Sequence, residues 1–285
     1  APVSRCPGSL HNPNAVWTQT TDNDRAPRSL WRLAPKPVAW VALQLHLVLL
    51  GASSLLWNLL ALPLYWLLPE RIGRTLGRQG VAWVYGSFWR IAAATGMLRL
   101  DAEALRPLRD EAGLIIVANH PSMLDAMMLV AELPRGACIM KASLLRNPFL
   151  GPGAKLARYI PNDSPHGMIR AAVAALHEGG QLVLFPEGTR TQQWPLNPLT
   201  GSFAVIAKRA RAPVQAVFID TDSPYLGKGW PIWRLPPLPI VFRARLGRRF
   251  EPREDHHVLV AEVQAHLMQG LRSGPMAQGP QVDDA

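Results

Sequence analysis

From residue 38 the chain carries no formal charge until Glu70, reading VAWVALQLHLVLLGASSLLWNLLALPLYWLLPE. A run of that length is enough to cross a bilayer as a helix. Gln44, His46 and Asn58 interrupt it, and Pro63 is expected to kink it. A second apolar stretch, GVAWVYGSFWRIAAATGML over residues 80–98, has Arg90 in its middle. An arginine at bilayer centre costs ~3 kcal/mol or more, so this helix is expected to lie in the interface or to pack on protein. Arg25, Arg28, Arg32 and Lys36 flank the first run on one side, and Arg71, Arg74 and Arg78 on the other. Basic flanks at both ends are what a hairpin dipping into one leaflet gives. A single spanning helix beside an amphipathic one is the alternative. A buried soluble helix pair is the third reading, disfavoured by the length and apolarity of the first run.

From residue 99 the pattern shortens into alternating strands and helices. GLIIVAN is a continuous apolar run, the mark of a strand buried on both faces. SMLDAMMLVAEL reads as a helix and ACIMK as a short strand. SPHGMIRAAVAALHEGG is a helix with a Ser-Pro start and a Gly-Gly stop. QLVLF is a strand, GSFAVIAKRARA a helix, PVQAVFI a strand, PIVFRARLG a late strand of alternating character, and HHVLVAEVQAHLMQGLR an amphipathic helix. This alternation predicts an α/β fold, a layered and mostly parallel sheet flanked by helices, preceded by an N-terminal membrane-associated helix pair. The expected division is a flexible arm over 1–36, membrane-associated helices over 37–98, the α/β domain over 99–272 and a disordered tail over 273–285. The arm lacks the layout of a cleavable signal peptide, because the apolar run starts too late.

Composition narrows the partners. The formal net charge of +10 is mostly arginine, since Lys36, Lys141, Lys155, Lys208 and Lys228 are the only lysines. That balance suits nucleic acid, anionic lipid or phosphorylated substrates. No zinc finger, basic zipper or RNP-like aromatic strand is present, so no nucleic acid is expected. Cys6 and Cys138 are the only cysteines, so no disulfide framework is implied. Cys138, in the apolar run ACIM, is expected to be a buried thiol. The 27 prolines argue against an all-helical bundle.

Candidate chemistry sits where strands end. His120 stands where the first α/β strand gives way to a helix, with Asp125 five residues on. Pro121 favours an extended residue before it and is tolerated at a helix start, which puts His120 in the turn. From there its ring can fold back over the first helical turn to Asp125, which would fix the tautomer and leave the other ring nitrogen as a general base. The structural alternatives stay open. Ser122-x-x-Asp125 has the form of a capping box, Asn119 is a possible helix cap, and His120 a possible satisfied core histidine. The second stretch is LVLFPEGTRT, residues 182–191. There Gly188 permits a close backbone approach, and Arg190 offers a planar fork for phosphate or carboxylate. The bland reading is a turn with a solvated arginine. His256 and His257 are adjacent and read as solvated, so no metal cluster is expected.

Together the two motifs carry a resemblance. NHPSMLD is similar to the Asn-His-x4-Asp box of the glycerolipid acyltransferase superfamily, and FPEGTRT to its Phe-Pro-Glu-Gly-Thr-Arg-Ser/Thr box. The chain resembles the 1-acylglycerol-3-phosphate and related lysophospholipid acyltransferases from about residue 80 to 245, with the boxes in family order. KASLLRNPFLG resembles a further box, with Lys141, Leu144, Pro148 and Gly151 fitting and Ser143 where glutamate is usual. APVQAVFI resembles another, with Ala216 in place of a proline. KASLLRNPFLG with YIPND also resembles acyltransferases associated with bacterial aryl-polyene lipids.

The resemblance implies that 99–272 is a catalytic domain moving an acyl group from a thioester to an alcohol. His120 would take the acceptor's proton and Asp125 would orient His120. Arg190, with Lys141 beside it, would hold an acceptor phosphate, while Glu187, Gly188 and Thr189 would shape the acceptor site. Backbone N–H groups near the helix start after His120 are the expected oxyanion donors. The implied partners are the lipid bilayer, a lysophospholipid acceptor, and acyl-CoA or acyl-carrier protein as co-substrate, with no cofactor. The implied location is the cytoplasmic face of a bacterial inner membrane. A membrane-tethered hydrolase using the same His–Asp pair and a non-catalytic membrane adaptor are the competing readings.

Overall fold

The computed structural model describes residues 30–275. Cys6, the arm up to residue 29 and the tail beyond 275 lie outside the described residues. At the end of the expected arm, residues Leu30–Arg32 form a 3-10 turn. The indole of Trp31 there donates to the Thr95 carbonyl at 2.7 Å.

Helix α1, Lys36–Leu67, follows Pro35 and carries Pro37 in its first turn, where a missing N–H costs nothing. Its 32 residues make a rod of about 48 Å at 1.5 Å per residue. Pro63 lies inside it without ending it. The helix stops at Leu68, which is extended ahead of Pro69. Helix α2, Glu70–Ala94, folds straight back. Its Arg90 is exposed and turns onto its own helix, donating to the Gly86 carbonyl and the Ser87 hydroxyl.

The remaining strands and α-helices, in chain order, are β1 (Leu98–Asp101), β2 (Leu114–Ala118), α3 (Leu124–Glu132), β3 (Gly136–Met140), α4 (Gly151–Leu156), β4 (Ile160–Pro161), α5 (Pro165–His177), β5 (Gln181–Leu184), α6 (Ser202–Ala210), β6 (Val214–Thr221), β7 (Ile240–Phe250) and α7 (His256–Arg272). Local chemistry explains several ends. The Ser164 hydroxyl caps α5 by accepting from Gly167 N, and the Asp255 carboxylate caps α7 by accepting from His257 N. The strands form one seven-stranded sheet in the order β1-β7-β6-β2-β5-β3-β4. Strands β2 to β6 run parallel, while β7 pairs antiparallel with β6 and β1 parallel with β7. Central β2 is buried along its whole length, as its unbroken apolar run predicts. Cys138 is buried in β3, as expected.

Two cores sandwich the sheet. On one face α1, α2 and α3 pack over Leu114, Ile116, Val217, Ile219 and Phe242. On the other, α5, α6 and α7 pack over Ile115, Val117, Leu182, Val214 and Ala216. The expected boundary at 98/99 is therefore not a structural break. Val81, Val84, Tyr85, Phe88, Trp89 and Ala92 of α2 belong to the same core as the strands, and the Trp89 ring stands edge-on to Phe242 at 5.4 Å. At Gly77 a Cβ would collide with the backbone of Leu156 and Ala157, so α2 and the α4 segment touch backbone to backbone.

Candidate active site

The parallel strands β2, β3, β5 and β6 bring their carboxyl ends to one edge, where ligands bind in open α/β sheets. His120 leaves β2 there, and Glu187 to Arg190 leave neighbouring β5. Backbone bonds lock the two turns together. Thr191 N donates to the His120 carbonyl at 2.8 Å, and His120 N donates to Glu187 Oε1 at 2.9 Å. The imidazole stacks on Phe185, with ring centroids 4.0 Å apart and planes 20° apart.

His120 Nδ1 lies 3.1 Å from Asp125 Oδ2. The Asp125 side chain is fully buried, whereas that of His120 is 17% exposed, so the ring is open to a substrate and its partner is not. A carboxylate only accepts, which places the proton on Nδ1 and leaves the Nε2 lone pair as the base. Burial pushes the Asp125 carboxyl above the usual carboxylate range; the His120 hydrogen bond and charge, the Ser122 N–H and the Arg190 charge oppose that shift. The capping box forms only in part, since α3 has Met123 at its N-cap and the Asp125 N–H donates to the Ser122 carbonyl. Ser122 N donates to the same Oδ2 at 2.6 Å, and Leu124 N donates to Ser122 Oγ at 3.3 Å. One carboxylate oxygen thus serves both the helix start and the histidine.

Several expectations are corrected. Asn119 does not cap a helix: its side-chain amide pairs both ways with the Ile219 backbone at 2.8 Å, extending the β2–β6 ladder. The N–H groups at the helix start are not free for an oxyanion. Those of Ser122, Met123, Leu124 and Asp125 donate to Asp125 Oδ2, the Leu226 carbonyl, Ser122 Oγ and the Ser122 carbonyl. Glu187 does not line a pocket. It is buried and accepts from His120 N, Thr191 Oγ1 and Asn197 N, so it braces the two turns. Burial raises its carboxyl, and those same donors oppose the shift. Gly188 is required by conformation and not by space, since its φ is 68° and a Cβ would meet nothing within 4 Å.

Arg190 Nη1 donates to the carbonyls of Leu226 and Gly227 at 2.7 and 3.0 Å, which pins the β6–β7 connection to the site. Its Nε and Nη2 have no hydrogen-bond partner among the described residues. Lys141 is not brought to the pair. It is exposed at the end of β3, with β5 between it and β2. The lysine that does arrive is Lys228, whose Nζ donates to Thr189 Oγ1 at 3.0 Å. Nothing in the local sequence of Lys228 or Asn197 marks them, because both are placed by long loops. Among the described residues no group of three His, Cys, Asp or Glu side chains converges as a metal site would.

The family model described as Acyltransferase matches residues 99–220. A 1-acyl-sn-glycerol-3-phosphate acyltransferase of Cocos nucifera is 30% identical over 107 residues, covering 35% of this chain and 35% of that relative. The enzyme of that name from Limnanthes douglasii is 29% identical over 136 residues, covering 45% of this chain and 48% of its own length. The chain thus spans between a third and a half of these relatives. The crystal structure of the 1-acyl-sn-glycerophosphate (LPA) acyltransferase PlsC from Thermotoga maritima superposes with a TM-score of 0.65 at 19% identity, over 87% of this chain and 100% of that one, and shares its fold. The matched segment, residues 99–220, contains both boxes and the sheet edge that carries them.

Proposed function

We propose that the protein is a membrane-associated O-acyltransferase. It moves a fatty acyl group from acyl-CoA or acyl-carrier protein to the hydroxyl of a lysophospholipid-type acceptor, 1-acylglycerol-3-phosphate, giving phosphatidic acid. The observation that carries this is the His120–Asp125 pair at 3.1 Å, with its open imidazole edge on a strand end of an acyltransferase fold. The acceptor oxygen attacks the thioester carbonyl while Nε2 takes its proton. The thiolate then leaves and takes that proton back. No enzyme nucleophile is needed, and general-base help of this kind contributes about 10²–10⁴-fold. Arg190 and Lys228 stand at the same rim as cations for the acceptor phosphate. The names of the relatives support that acceptor.

Helix α1 supports the membrane. It is long and apolar enough to cross a bilayer, and only 22% of its most apolar window is buried. Trp40 and Gln44 near its start, and Ser54 and Asn58 further on, are hydrogen-bonded to loops of the α/β domain. A helix crossing the bilayer would drag those loops to its centre, so α1 lies along one leaflet. The supply of acyl thioesters favours the cytoplasmic face of a bacterial inner membrane.

Mass spectrometry of membrane lipids, with and without expression of the protein, tests the reading. Phosphatidic acid should gain acyl chains at the expense of its lyso form, and unchanged lipids would contradict it. One observation favours a second acceptor class. Arg190 already grips two carbonyls, and Ser143 and Ala216 depart from the family pattern, which suits an acceptor without phosphate, such as a polyene-type lipid or glycolipid precursor. Kinetics of Arg190→Ala separate the two. A phosphate acceptor predicts a selectively raised acceptor KM, and an uncharged one predicts lower stability or rate without that selectivity.

A further inference from the structure

The basic residues around the α5–α6–α7 cover are mostly paired. Lys208 meets Glu254, Arg249 meets Glu111, and Arg248 and Arg253 share Glu262. One pair of helices breaks that pattern. α5 and α6 pack on each other and contain no Asp or Glu, yet they carry Arg170, Lys208 and Arg209, with Arg211 at the C-cap of α6. Arg170, Arg209 and Arg211 are exposed, and their guanidinium groups have no ion-pair or hydrogen-bond partner among the described residues. Between the helices lies a groove of about 520 Å³, within the size range of ligand clefts. Ile169 and Val173, both half-buried, give it an apolar strip, and His166, Arg170 and Arg209 line it with basic groups. Asp163 stands ahead of the Ser164 cap and is not part of the lining.

An aliphatic strip edged by unpaired cations is complementary to an amphipathic helix with an acidic polar face, the helix-in-groove mode of recognition. Other anions fit it less well. Anionic headgroups would gather at the opposite cover, because the exposed apolar side chains of α1 lie across the sheet from α5 and α6. The adenine of a free coenzyme would find no Trp, Tyr or Phe in the groove to stack on. The groove also starts at the functional edge. α5 begins four residues past Pro161 of β4, at the carboxyl ends of the parallel strands, where His120 leaves β2. β5 and β3 separate β2 from β4, so three strand spacings, about 14 Å across the sheet, lie between the start of α5 and that exit. The gap keeps a docked helix off the His120 ring. It suits a donor that delivers its acyl group on a long arm.

We propose that the α5–α6 groove docks an acidic helix of an acyl-carrier protein, whose prosthetic arm then carries the acyl thioester to His120. The inference rests on the acyl-transfer reading and names its donor. The transfer step is unchanged: the acceptor oxygen bonds to the acyl carbon, the C–S bond breaks, and the carrier's thiol leaves with the proton taken by Nε2. The test uses the full chain on vesicles with lysophosphatidic acid as acceptor, and compares palmitoyl-(acyl-carrier protein) with palmitoyl-CoA as donors. Arg170→Glu combined with Arg209→Glu should raise KM for the carrier-protein donor roughly tenfold or more, while KM for palmitoyl-CoA and both kcat values stay within about twofold. Arg170→Lys combined with Arg209→Lys, which keeps the charge, should behave as the parent. Added salt should raise the parent's KM for the carrier-protein donor far more than for palmitoyl-CoA. Fluorescence anisotropy of labelled carrier protein, read without turnover, should show binding weakened by a similar factor in the charge-reversed variant. An equal rise in KM for both donors, or no rise, would overturn the inference. A rise for palmitoyl-CoA alone would also overturn it and give the groove to the coenzyme's nucleotide. If the parent uses palmitoyl-CoA and neither uses nor binds the carrier protein, the inference fails and the acyl-transfer reading stands. If the parent turns over neither donor, the acyl-transfer reading fails and takes the inference with it.

Discussion

The two faces of the sheet are covered by three helices each, yet the covers differ in what they show outward. On the α5–α6–α7 side the outer surface is polar, and Val258 is the one large exposed hydrophobic on those helices. On the α1–α2 side Leu45, Val48, Leu56, Leu59, Leu60, Trp66 and Trp83 are all at least half exposed. Both covers contribute buried side chains to a core. Core packing does not explain the hydrophobicity of α1; the membrane association proposed above would supply a second apolar medium outside it. The amphipathic α5 and α7 have one apolar stripe and meet one apolar phase; on the proposed reading α1 meets two.

The largest test of this comparison is removal of one cover. Deleting residues 1–98 strips α1, α2 and the start of β1 from the sheet, exposing Leu114, Ile116 and Phe242. The remainder is expected to be insoluble or unfolded by circular dichroism, and a stable soluble domain would mean that α2 is only an anchor. Next comes a charge on each outer surface. Leu56→Glu should release the protein from vesicles in a flotation assay, since an acidic side chain in lipid costs up to ~3 kcal/mol. Val258→Glu should leave flotation unchanged and stability within about 0.5 kcal/mol. A smaller effect separates contact from exposure within α2. Gly77→Ala forces two backbones apart and should destabilise by about 1–3 kcal/mol. Gly86→Ala, with nothing within 4 Å of its Cβ, should stabilise the helix by a few tenths to ~1 kcal/mol in thermal unfolding.

The smallest effect concerns Asp125 and its pH dependence. Its carboxyl is raised by burial, so the folded protein holds that proton more tightly than the unfolded chain. The group therefore favours folding most below the ordinary carboxylate range. That contribution is lost as pH rises from about 4 through the raised value. Asp125→Asn removes this titration. Unfolding midpoints of the parent should fall relative to the variant across that window, while transfer activity of the variant drops at every pH. A constant difference in midpoint would contradict the assigned direction.

Much of this was legible in the sequence. The buried run of β2, the Ser-Pro start of α5 and the span of α7 follow from periodicity and capping, and the turn position of His120 follows from Pro121. The antiparallel pairing of β7 and the two-residue β4 were not legible, because neither leaves a local pattern. Gln44 and Asn58 of α1 were visible as interruptions but not as grips, since the loop carbonyls they hold lie 188 and 91 residues away. Glu187 was recognised by its box and assigned to the wrong side of the turn. Sequence gives its place but not the direction of its side chain, which three inward donors decide.

The central claim is that Nε2 of His120, with Nδ1 held by Asp125, is the base for acyl transfer. The most direct measurement is transfer from an acyl thioester to lysophosphatidic acid by purified, vesicle-bound His120→Ala, beside the parent protein. The account predicts a loss of about 10²–10⁴-fold with unchanged thermal unfolding and unchanged vesicle binding. A variant that stays folded and membrane-bound and keeps more than about half the parent rate would contradict it, because a base worth a factor of a hundred cannot be removed at so small a cost.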